Sequence, residues 1–92
     1  MNLDKIDWTL LPEPLHEGVR HYIEHGQPTG DFLAAVIMGN RGEAAARADD
    51  VNARRLDDIF LFFEKCAPPE CHGSVDKQVA WIDRNGLQGW EE

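Results

Sequence analysis

The chain is short of positive charge. Nine Lys and Arg stand against seventeen Asp and Glu, a formal charge of −8 over 92 residues. Neutralising phosphates takes a basic surface, so direct binding to nucleic acid is not expected, and neither is docking on anionic lipid. No run of about 18 apolar residues occurs, so no membrane span is expected. Residues Met1 to Lys5 hold no basic stretch followed by an apolar run. No secretory signal is therefore expected, and the compartment read from the sequence is the cytoplasm. Cysteine is limited to Cys66 and Cys71. In a reducing compartment these are thiols, and a disulfide closing so short a loop would remove little chain entropy. Alternating runs of β-branched residues, internal repeats and low-complexity tracts are missing as well. The acidic balance suits a basic protein partner, although many small bacterial proteins are acidic without one.

What is present is a helical pattern. Leu15, Val19, Tyr22 and Ile23 share one helix face, and Gly26 and Pro28 stand where such a helix stops. The next segment, Phe32 to Met38, has no polar side at all, so it must be covered on most sides. It reads as the central helix of an all-α domain. An apolar fraction of 42%, with three Trp and four Phe, is enough for one core. A chain this short buries roughly 60–65% of its unfolded surface. A homodimer would supplement that margin, and homodimer and monomer stay equally open.

The predicted fold class is a small single-domain bundle of four to five short helices with an extended N-terminal arm. Residues 1–12 form the arm, with Leu3, Ile6, Trp8, Leu10 and Leu11, closed by Pro12 and Pro14. The arm packs on its own domain or on a second chain. The helical domain spans 13–87, and 88–92 form a tail, expected to be mobile, with Trp90. The predicted helices are Glu13 to His25, Gly30 to Gly39, Glu43 to Ala48, Val51 to Lys65, and one capped by Ser74 and ended by Gly86. Asn40, Arg41 and Gly42 read as a break, Thr29 or Asp31 as the second cap, and Asp49 or Asp50 as the fourth. Arg54 and Asp58 form an i, i+4 pair. The predicted core is Tyr22, Ile23, Phe32, Leu33, Val36, Ile37, Ile59, Phe60, Phe63, Val79 and Ile82, with Val75 also turned inward. If the Phe60 ring is fully buried, its loss should cost roughly 3–5 kcal/mol.

Candidate chemistry is thin. His21 and His25 are spaced i, i+4, and Cys66, Cys71 and His72 could complete a zinc site, but the Cys-x4-Cys-His spacing is not that of a common zinc knuckle. No metal or other cofactor is expected. Cys66 or Cys71 with His72 or His21 could form a thiolate–imidazole pair, yet nothing marks an oxyanion hole or a general acid. The helix–turn–helix spacing lacks base-reading side chains on its second helix. Gly26 to Gly30 lacks the lysine of a phosphate loop. The expected mode of action is therefore binding, not catalysis. The candidate partner-binding residues are Trp8, Leu11, Leu61, Phe62 and Trp90, apolar groups in excess of what one small core needs.

From Arg20 onward the chain resembles a family of small proteins of unknown function encoded by bacteriophages and prophages. The matching residues are Arg20, Tyr22, Ile23, Glu24, Gly26, Pro28, Gly30, Phe32, Leu33, Ala35, Val36 and Asn40. Ala48, Asp49, Asn52, Leu56, Ile59, Pro69, Cys71, Gly73, Ser74, Val79 and Trp81 match further on. His25 and His72 are not part of the pattern. The resemblance implies a phage accessory protein in a bacterial cytoplasm. With the acidic charge, it leads to the expectation of a protein that binds and modulates or inhibits a host or defence-system protein, an anti-CRISPR protein being one version. The alternative is a small metal- or thiol-dependent factor or enzyme using Cys66, Cys71 and nearby histidines.

Overall fold

Side-chain capping decides where three of the helices begin. In the computed structural model, which describes residues 6–87, Asn40 accepts from the Glu43 amide at 3.1 Å and starts α3, Arg41–Arg47. Asp49 accepts from the Asn52 amide at 2.8 Å and starts α4, Asp50–Arg54. Ser74 accepts from the Lys77 amide at 3.1 Å and starts α6, Val75–Asp83. Each cap satisfies an amide that has no partner in the first turn. The remaining helices are α1, His16–His25; α2, Asp31–Ile37; and α5, Leu56–Cys66. Short 3-10 turns, Trp8–Leu10, Glu13–Leu15 and Pro69–Cys71, join them, and no strand occurs among the described residues. The fold is all-α, with six helices among the described residues where four to five were expected.

Three differences from the predicted boundaries have local causes. Asn40 is a cap and not a break, so α3 begins earlier and includes Gly42. α2 is capped by Gly30, with no side-chain hydrogen bond from Thr29 or Asp31. The long helix predicted from Val51 to Lys65 is divided at Arg55. The Arg55 amide bonds Asn52 O at 3.2 Å, a tighter i−3 link, and its guanidinium reaches Thr9 O at 2.5 Å. Arg55, not Arg54, then lies near Asp58, at 3.6 Å.

α2 is the helix apolar on all sides, and it lies at the centre. Leu33, Ala35, Val36 and Ile37 are buried, with Phe32 partly buried against the same core. α1 adds Val19, Tyr22 and Ile23, and α5 adds Ile59, Phe62 and Phe63. The orientation of α6 is set by Trp81. Its ring is buried, and its indole Nε1 donates to Tyr22 O at 2.9 Å. The Tyr22 hydroxyl in turn donates to Cys71 O at 2.6 Å. That rotation corrects the predicted inner face of α6. Val75 and Val79 are 53% and 50% exposed, because burying the larger indole turns them outward. Phe32, Phe60 and Ile82 are half-buried, so the full loss anticipated for Phe60→Ala does not apply.

The ends of α1 and α6 meet at two glycines. Gly26 and Gly86 have φ of 67° and 64°, a left-handed region that side chains rarely occupy. A Cβ on Gly86 would lie 2.6 Å from Gly26 N and from Ile23 O. Only the absence of a side chain lets these backbones approach so closely.

The N-terminal segment, as far as it is described, packs on its own domain. Leu11 is 2% exposed, and the Trp8–Leu10 turn lies on α5. It is a helical turn, not a wholly extended arm.

Candidate functional site

The expected partner-binding residues divide. Leu11 and Phe62 are buried, at 2% and 0% exposure, and are corrected from surface anchors to core. Phe62 is covered because the Trp8 ring packs over it, with centroids 5.3 Å apart, while Phe63 meets it edge-on at 5.5 Å. Trp8 and Leu61 are half-buried. Trp90 lies outside the described residues. Trp8 lines an open pocket of about 400 Å³ with His16, Glu17 and Arg20 of α1. The His16 ring sits 5.6 Å from the indole, and its Nε2 lies 2.9 Å from Leu11 O. The predicted arm thus forms the wall of a pocket on its own helix α1.

The cysteines and histidines do not form one centre. Cys71 is fully buried beneath Tyr22, and burial, then the Glu70 charge, pushes its thiol up to about 12. A thiol held protonated at neutral pH is a poor nucleophile and a poor ligand. The Tyr22 hydroxyl is also raised, chiefly by burial. His21 and His25 stack loosely on α1, with centroids 6.2 Å apart, and His25 Nε2 lies 3.4 Å from a Glu24 carboxylate oxygen. Cys66 is half-buried at the end of α5. Among the described residues no three His, Cys, Asp or Glu side chains gather as a metal site, so His21, His25, Cys66 and Cys71 are not assembled into one.

A second concavity was not anticipated. Val36, Gly39, Arg41, Phe60, Phe63, Glu64, His72 and Gly73 line a groove of about 330 Å³. Three elements position it. The end of α2 and the loop before α6 are joined by Gly73 N donating to Ile37 O at 2.7 Å. α5 runs alongside and supplies the third wall. Arg41 crosses to α5, with its guanidinium 4.5 Å over the Phe60 ring and Nη1 donating to Asp57 Oδ1 at 2.6 Å. At the other end His72 packs on Phe63 at 5.7 Å. Burial and the Lys77 charge lower its imidazole, while Glu64 opposes them. The groove therefore has a largely apolar lining, one lining cation already engaged and one exposed carboxylate, with the Lys77 ammonium near its Gly73 end. Phe63 is core as predicted, whereas Phe60, also predicted as core, is half-buried and makes the rim with Arg41.

No family model, no curated protein and no solved structure matches this chain. No helix among the described residues is long and apolar enough to cross a membrane.

Proposed function

We propose that the chain is a small acidic phage accessory protein of a bacterial cytoplasm that binds a host or defence-system protein and modulates or inhibits it. An anti-CRISPR or other anti-defence protein is the specific form of this reading. One observation carries it: aromatic rings stand half-exposed at two open pockets on a chain of net charge −8. Half-exposed aromatics are the usual anchors of protein interfaces, and a carboxylate excess speeds encounter with a basic partner. The burial of Cys71, with its thiol pushed up to about 12, supports binding over thiol chemistry. The acidic balance likewise supports a protein partner over nucleic acid.

The test is a pull-down from host lysate with the tagged full chain, beside Trp8→Ala, Phe60→Ala and Cys71→Ser, each first shown to be folded. A specific partner that is lost with one of the aromatic variants is the expected result. If both folded aromatic variants retain the partner and the phage-linked phenotype while folded Cys71→Ser loses them, the binding reading is wrong and a thiol mechanism replaces it. Light scattering on the purified chain decides between homodimer and monomer.

A further inference from the structure

Along α5, Asp57, Phe60 and Glu64 follow at i, i+3 and i+7 on one helix face, and Phe60 and Glu64 line the groove. The molecule itself displays what this face holds. Arg41 lays its guanidinium over Phe60 and pairs it with Asp57. About two turns from Asp57, Glu64 stands at the other end of the groove with His72 beside it, and its carboxylate is exposed with no ion-pair partner among the described residues. Between the two carboxylates the half-buried Phe60 ring offers the accessible apolar surface, backed by the buried Val36 and Phe63 side chains.

The geometry points to a docking site for a basic–apolar segment of a partner protein. One apolar side chain rests on the open part of the half-buried Phe60 ring, and a neighbouring Arg or Lys pairs with Glu64, as Arg41 pairs with Asp57. The proposal rests on the reading of the chain as a protein-binding module and gives that partner its chemistry. A volume of about 330 Å³ lies at the small end of ligand pockets, which suits a side chain and its neighbours and not a large cofactor. The net charge of −8 favours the approach of a cationic segment and disfavours an acidic one.

The experiment is amide NMR of the full ¹⁵N-labelled chain, titrated with acetyl-Arg-Leu-Arg-amide and, separately, with acetyl-Glu-Leu-Glu-amide. The basic peptide should give saturable shifts at Gly39, Glu64 and Gly73, with a dissociation constant on the order of 1 mM. The acidic peptide should give none. Glu64 is exposed, so Glu64→Gln leaves the fold intact and should weaken the basic peptide about three- to five-fold, the scale of one exposed ion pair. Absence of localised shifts up to about 10 mM, equal responses to both peptides, or an unchanged constant in Glu64→Gln overturns the proposal. The two readings fail separately. A host partner retained in full by Glu64→Gln leaves the proposed function standing and removes the groove. Peptide binding at the groove without any host partner does the reverse.

Discussion

The junction of α1 with α6 and the shoulder made by α3 and α4 are built in different ways. At the junction, Tyr22 and Trp81 are fully buried, the indole donates to Tyr22 O while the Tyr22 hydroxyl donates to Cys71 O, and two glycines bring the helix ends into backbone contact. On the shoulder, α3 buries only Ala44 and α4 buries nothing. Its order comes from the Asn40 and Asp49 caps and from exposed pairs such as Arg47 with Glu43 and Asp31. The difference separates stability from surface chemistry. The junction holds the large apolar areas that dominate folding. The shoulder carries Arg41 to the rim of the groove without committing much of the core.

The largest effect should come from the junction. Gly86→Ala places a Cβ 2.6 Å from two backbone atoms at a φ of 64°. The left-handed cost and the forced displacement together should reach roughly 2–5 kcal/mol. That is a large share of the stability of a small domain, about 5–15 kcal/mol. Urea unfolding should show a midpoint far below wild type, or no cooperative transition. A near-wild-type midpoint would mean that the two helix ends do not meet.

Alkaline pH should loosen the same junction. The unfolded chain releases the Cys71 proton near an ordinary thiol value of about 8.5. The folded chain holds it to about 12. Between these values the folded state binds more protons, so the contribution is complete below the ordinary value and declines as pH rises toward about 12. This group contributes a slope of at most about 1.4 kcal/mol per pH unit. Denaturant unfolding at neutral pH and at pH about 10 should show a smaller pH-dependent loss in Cys71→Ala than in wild type. Equal losses would show that the thiol is not buried as described.

On the shoulder a single cap should matter more than any ion pair. Asp49→Ala removes the acceptor for the Asn52 amide and should cost about 0.5–2 kcal/mol. Amide exchange should accelerate in α4 while α1 and α6 keep their protection. Faster exchange throughout the molecule would mean that shoulder and junction unfold as one unit.

The contrast between the regions also explains what the sequence makes legible. Caps and stops are local, so Ser74, Asp49 and Gly26 could be read from residue type and spacing. The all-apolar α2 reads as central for the same reason. Helix rotation is not local. Val75, Val79 and Trp81 offered α6 two faces, and the choice fell to a hydrogen bond with Tyr22 O, a partner far off in the chain. Phe62 and Leu61 were read alike, yet the Trp8–Leu10 turn covers one and leaves the other half-exposed. The groove depends on Gly39 and Gly73 lying together and on Arg41 reaching α5, neither of which has a signature in neighbouring residues. The cysteine and histidine set illustrates the converse, since suggestive spacing on α1 and in the loop before α6 did not become a centre in space.

The smallest effect should come from Arg47. Its guanidinium bonds Glu43 within α3 at 2.5 Å and Asp31 at the start of α2 at 3.1 Å. The Glu43 hydrogen bond, then the charges of Glu43 and Asp31, raise its proton affinity further. The geometry is good, but all three side chains face solvent, where water and salt screen the attraction and ordering them costs entropy. Arg47→Ala should therefore leave the urea midpoint close to wild type in physiological salt, well inside the shift from Asp49→Ala. Repeating the measurement at low and at high salt sharpens the comparison. A difference between wild type and variant that appears only at low salt is the mark of screened surface charge. A loss larger than that of the cap, persisting in high salt, would mean that Arg47 fastens α3 to α2 as a structural tie and that the shoulder is no less firmly built than the junction.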